Sequence, residues 1–273
     1  MDIEDRKGPA MTQPAFPFLL ISLFAFIFGA IIGSFLNVCI HRLPLGLSIS
    51  HPRSRCPQCE TPIAFYDNLP ILSWLILKGR CRRCGLKIPG RYPLVELYTA
   101  LLAVCVYFKY GLTPTALIYF IFIAVLLVVT FIDIDHRIIP NRITLPGIPL
   151  AFLGSFLLPQ VSWIDSLLGI LAGGGVLLLV ATLYKAITRK EGMGGGDIKL
   201  LAMMGALMGW QGTLFTIFVA SLAGSITGLA IMLRHGRSMK MAVPFGPFLA
   251  LGGIAYVLVG TELIHWYFSR ALL

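Results

Sequence analysis

Eight apolar runs, at about residues 15–40, 93–109, 115–133, 143–158, 166–184, 198–211, 213–233 and 243–261, leave this chain little freedom to fold in water. Each is near the ~20 residues that a helix needs to cross a bilayer, or somewhat short of it. A helix also satisfies its own backbone polar groups, which hydrocarbon demands. With 57% hydrophobic and 12% charged residues, the expected fold class is an all-α polytopic membrane protein of about eight transmembrane helices. Residues 15–40 are too long for a signal-peptide core, and the flank before them lacks net positive charge, so they read as an uncleaved first span. Residues 1–14, polar and with two prolines, read as a disordered tail.

The one long polar stretch, 41–91, holds nine Lys and Arg residues against Glu60 and Asp67. If the N-terminus is outside, this stretch is cytoplasmic, and only Arg6, Lys7, Lys109 and Arg270 of the 22 Lys and Arg residues fall on the other side. That asymmetry is the positive-inside pattern, and it supports an even number of spans. The formal charge of +10 then serves orientation and contact with anionic lipid, not nucleic-acid binding. The expected division is a tail (1–14), an N-terminal membrane region with a cysteine loop (15–110, loop 41–91) and a C-terminal membrane domain (111–273).

Two acids stand out in so apolar a chain. Asp133 closes the third span in Phe131-Ile-Asp-Ile-Asp135, and Asp197 opens the sixth in Met193-Gly-Gly-Gly-Asp-Ile-Lys199. An ionisable residue in a membrane helix is costly and marks a site by default. Parity puts both at the cytoplasmic face, where they form an aspartyl dyad if the helix ends meet. In such a pair one carboxyl takes a proton from the attacking water while the other donates to the carbonyl oxygen. Helix dipoles favour an anion at a helix N-terminus over a C-terminus, so Asp197 is the expected base and Asp133 the bearer of the shared proton. Gly194, Gly195 and Gly196 are expected to give φ > 0 freedom and room for an extended substrate strand. Asp135 is an alternative reactive member, and a plain N-cap role for Asp197 is another reading.

Cys56-Pro-Gln-Cys59 and Cys81-Arg-Arg-Cys84 form a zinc-ribbon-like pattern, four thiolates around one structural Zn²⁺, with flanking arginines to favour the thiolates. Two disulfides, which a reducing compartment disfavours, or free thiols are the alternatives. Cys39 and Cys105 fall in apolar spans and read as small core residues. Gly205-x-x-x-Gly209 allows close helix approach but is common in membrane helices.

Several segments carry a resemblance. Asp133-Ile-Asp-His-Arg-Ile-Ile-Pro140-Asn141, Gly194-Gly-Gly196-Asp197-Ile-Lys199 and Pro244-Phe-Gly-Pro-Phe248 are similar to signature segments of the bacterial type IV prepilin peptidases, which are Gly-x-Gly-Asp intramembrane aspartyl proteases. Gly33-Ser-Phe-Leu-Asn37 to Pro44, the cysteine loop and Tyr92-Pro-Leu-Val-Glu96-Leu resemble the N-terminal half of the bifunctional members. The resemblance implies that Asp133 and Asp197 are the catalytic pair and Asp135 a neighbour. It also implies an inner-membrane enzyme that cuts the leader of prepilins and pseudopilins after Gly at the cytoplasmic face, then methylates the new N-terminal amine with S-adenosylmethionine. Pilus assembly and type II secretion both fit that substrate class. No Gly-x-Gly-x-x-Gly loop is present, so the methyl donor must bind in the polar loop or between spans. Glu96 fits a place near it, and equally an ordinary acid at a helix start. A transporter or channel built on intramembrane acids is the rival, and it predicts acids at the midplane.

Overall fold

A computed structural model describes residues 15–189, 194–235 and 243–271. The expected tail, 1–14, lies outside the described residues, as do Met193 and, from the orientation count, Lys190, Arg237 and Lys240. The elements are α1 (Ala15–Arg42), α2 (Leu72–Ile76), α3 (Arg91–Tyr110), α4 (Pro114–His136), α5 (Asn141–Ser155), α6 (Trp163–Thr188), α7 (Gly195–His235), α8 (Gly246–Ala255) and α9 (Thr261–Ala271), with a π-helical turn at Tyr256–Gly260 joining α8 to α9.

The ends of these helices are written locally. Thr113 Oγ1 accepts the Ala116 N–H at 3.2 Å with Pro114 in the first turn, which starts α4. Arg137 takes a left-handed conformation, φ 54°, and donates its N–H to Asp133 O at 2.9 Å, which stops it. Ser162 and Asp165 make a capping box on α6.

Six helices among the described residues are long and apolar enough to cross a membrane, so the expected eight spans are not shown as such. The difference has two sources. The fourth apolar run forms α5, only 15 residues and interrupted by Pro146 and Pro149. The sixth and seventh runs are joined in α7, whose helical geometry breaks only at Gly209, φ 72° and ψ −178°. At that break the chain turns back. A Cβ on Gly253 would meet the Met204 and Met208 methyls, one on Gly252 would meet Thr216, and one on Gly224 would meet Phe248 and Phe245. The two arms of α7, 195–208 and 210–235, therefore pass α8 in opposite directions.

Close approach of backbones sets the packing. A Cβ on Gly29 would lie 2.7 Å from Ala100 Cα, and one on Gly33 2.7 Å from Glu96 Cα, so α1 and α3 touch directly. Gly169 of α6 and Gly205 of α7 abut so closely that a Cβ on either would strike the other's carbonyl oxygen. The core lies between α4, α7 and α8, where Ile123, Leu126, Leu200, Leu201, Met204 and Leu249 are fully buried. Cys39 belongs to a core cluster, but Cys105 is exposed on α3, against expectation.

Candidate active site

Asp133 sits in the last turn of α4 and is 5% exposed. Asp197 sits in the first turn of α7, half-buried, its N–H donated to Gly194 O at 3.1 Å. Ile139, in the link from α4 to α5, connects the two. A Cβ on Gly196 would lie 2.8 Å from Ile139 Cβ, and one on Gly246 would lie 3.3 Å from Ile139 Cδ1 and 2.6 Å from Asp133 Oδ2. The Gly246 N–H donates to Asp133 Oδ2 at 3.0 Å. Lys199 Nζ donates to Asn141 Oδ1 at 2.8 Å and ties the start of α7 to the start of α5. The two acids thus lie at the same end of the bundle, linked through Gly246, Ile139 and Gly196, not at its middle.

Three details bear on the sequence reading. None of Gly194, Gly195 and Gly196 has positive φ, so glycine is required there by close approach, and only at Gly196, because a Cβ on Gly195 would meet nothing within 4 Å. The helix dipole is not the only group at Asp133, since the Gly246 backbone N–H also donates to its carboxylate. Asp135, the alternative reactive acid, is taken by an ion pair with Arg91 of α3, whose guanidinium also lies 4.8 Å over the Phe131 ring. Gly246 and Ile139 were not singled out from the sequence. The segment Pro244–Phe248 was noted, but nothing local to it announces a bond to an acid 113 residues away.

The cysteine loop lies at the same end. Isolated bridges Arg55–Pro62 and Arg80–Lys87 close two similar turns, in which Cys56 N–H is donated to Thr61 O at 3.0 Å and Cys81 N–H to Leu86 O at 2.8 Å. The four thiol sulfurs all lie within 4.8 Å of one another, with Cys56 Sγ and Cys84 Sγ 3.7 Å apart. Tetrahedral Zn–S bonds of about 2.3 Å require S–S edges of about 3.8 Å, so the cluster fits zinc. None of the six cysteines is in a disulfide. Hydrogen bonds from Thr61 draw the Cys59 thiol down to about 6, and backbone N–H groups of Cys84 and Arg83 lower Cys81. The expected help from arginines is not what lowers them, for Arg82 is engaged with Asp67 at 2.6 Å and Arg55 reaches toward Glu60 at 3.8 Å.

Glu96 is 8% exposed, accepts the Ile71 N–H at 2.7 Å, and has its Cα against Gly33 of α1. It pins the loop to α1 and α3, which accounts for an acid at that position without a cofactor.

Two family models match the chain: the bacterial peptidase A24 N-terminal domain over residues 27–110 and the type IV leader peptidase family over 120–229. A prepilin leader peptidase/N-methyltransferase of Aeromonas salmonicida is 41% identical over 283 residues, covering 94% of this chain and 96% of its own. Proteins of the same description from Pseudomonas putida and Pseudomonas aeruginosa are 38% and 37% identical, covering 88% and 93% of this chain and 91% and 95% of theirs. No solved structure matches.

Proposed function

This chain belongs to the type IV leader peptidase family, and on that premise we propose that it is a membrane aspartyl endopeptidase whose catalytic pair is Asp133 and Asp197. Its substrates are prepilins and pseudopilins, cut after Gly at the cytoplasmic face of the inner membrane, and it then methylates the new N-terminal amine. The observation that carries the peptidase reading is that Gly196, next to Asp197, and Gly246, whose N–H is fixed on Asp133, both pack on Ile139. Two carboxyls so placed share one proton. One takes a proton from the attacking water as its oxygen adds to the scissile carbonyl, and the other protonates the carbonyl oxygen. Nothing in the site favours a cation pathway, since the acids cluster at helix ends and no second acid row leads through the bundle among the described residues.

The division proposed is an N-terminal part, 15–110, for methylation and a C-terminal part, 111–273, for proteolysis, with the N-terminus periplasmic. Cys56, Cys59, Cys81 and Cys84 would hold one structural Zn²⁺ with no open position, keeping a loop of little apolar core in shape. For S-adenosylmethionine, which supplies an electrophilic methyl when bound, the opening beside Arg53, Phe65 and Asn68 offers a guanidinium for a carboxylate and an aromatic face for a purine. Its volume, ≈ 300 Å³, reaches the lower end of the range of small-molecule sites. The test is purified protein in detergent with a prepilin and labelled S-adenosylmethionine, cleavage and methyl transfer being measured separately. Asp133→Asn and Asp197→Asn should each abolish cleavage with zinc content unchanged. Retained cleavage in either variant overturns the dyad, and cleavage without methylation removes the second activity alone.

A further inference from the structure

We propose that α2, within the polar loop, is a membrane-inserted element whose outer face, Leu72, Leu75 and Ile76, lies in lipid at about the depth of the Asp133–Asp197 pair. The short helix is held in one orientation. Ser73, on its inner face, is buried, accepts the Leu69 N–H at 3.0 Å and donates to Tyr66 O at 2.9 Å. Trp74 Nε1 donates to Ile88 O at 3.1 Å. The opposite face is left bare, with Leu72 58%, Leu75 57% and Ile76 71% exposed. A loop of this polarity has no core of its own to receive them.

The depth follows from Glu96. Its carboxylate accepts the Ile71 N–H at 2.7 Å. Glu96 is five residues into α3 from Arg91, about 7 Å at 1.5 Å per residue, and Arg91 is level with Asp135 through their ion pair. Gly33, where a Cβ would lie 2.7 Å from Glu96 Cα, is nine residues before the end of α1, about 13.5 Å inward. The chain therefore leaves the membrane on α1, forms the cysteine cluster, and descends again to the level of Ile71 before entering α3. Lys78 and Arg80, exposed just after α2, are placed to meet anionic headgroups. An apolar helix face with basic residues beside it is the composition of an interfacial segment.

The experiment uses the full chain in vesicles of phosphatidylethanolamine and phosphatidylglycerol. A benzophenone amino acid replaces Leu75, or Gln58 at the cysteine cluster as reference. On irradiation, position 75 is expected to give adducts with labelled lipid and position 58 none. An environment-sensitive fluorescent amino acid in place of Leu75 should be quenched by acyl-chain nitroxides at a depth of about 5–10 Å. Adducts with a second copy of the chain or with added prepilin in place of lipid overturn the proposal. Water-like emission at position 75 does so as well. Neither readout depends on catalysis, so the outcome is separable from that of the dyad test.

Discussion

Arg91, the first residue of α3, is paired with Asp135 on α4 and also reaches Phe131 O at 3.4 Å, so its guanidinium brackets Asp133 from both sides along the helix. The pair is a third exposed, and its own share of stability is about 0–1 kcal/mol. Its effect should therefore appear in the aim of the Asp133 carboxyl more than in folding. Arg91→Ala is expected to lower cleavage with little change in thermal unfolding. Asp135→Asn is expected to keep far more cleavage than Asp133→Asn, and initial rates on one prepilin with the three purified variants decide it.

The glycines around the dyad are not equivalent. A Cβ on Gly246 would press on Asp133 Oδ2 at 2.6 Å and one on Gly196 on Ile139 Cβ at 2.8 Å, whereas Gly195 has open space. Gly246→Ala and Gly196→Ala should each cost about 10²-fold or more in cleavage, the scale of a displaced proton-transfer group. Gly195→Ala should stay within about twofold, since nothing is displaced. Comparable losses at all three positions would mean that backbone freedom, not contact, is what the glycine run provides.

Hydropathy made the helices legible, because burial in lipid leaves the same mark whatever the tertiary contacts. It could not tell the short, proline-broken α5 from a full span, nor show that the sixth and seventh runs join at a single residue, Gly209. Asp133 and Asp197 stood out because an acid in an apolar run has no local reason to be there. Gly246 and Ile139 did not, since each acquires its role only when α8 and the α4–α5 link meet the dyad. Glu96 was visible as an oddity, and its partner, the backbone of Ile71, carries no sequence signal. The cysteine spacing was legible for the converse reason: metal geometry fixes it locally.

Removal of the metal should separate the loop from the dyad. The four thiols are drawn together by two short turns, with little apolar packing to replace a bound ion. Chelation, or Cys84→Ser, should expose sites within 41–91 to limited proteolysis and reduce zinc from one equivalent per chain. Methyl transfer should fall with it, and cleavage should survive in larger part, as measured on the same samples. Loss of cleavage in step with zinc would tie the loop to the peptidase chemistry itself.

At the opposite end of the bundle, side chains at the end of α3 donate to carbonyls of the π-helical turn Tyr256–Gly260. Lys109 Nζ donates to Leu258 O at 2.9 Å and Tyr110 OH to Val257 O at 2.6 Å. Lys109 also reaches Glu262 at 2.8 Å, but that carboxylate is 63% exposed, so the ion pair adds little beyond the hydrogen bonds. Tyr110→Phe should lower stability by about 0.5–1.5 kcal/mol, and Lys109→Met by about 1.5–3 kcal/mol, as a charged donor is lost. Both should appear as a lower unfolding temperature in detergent, with cleavage at permissive temperature unchanged. The reason is distance: these bonds join the N-terminal helices to the C-terminal one at the end away from Asp133. A variant that melts normally yet cleaves poorly would show that α8, which carries Gly246, transmits the state of this turn to the dyad.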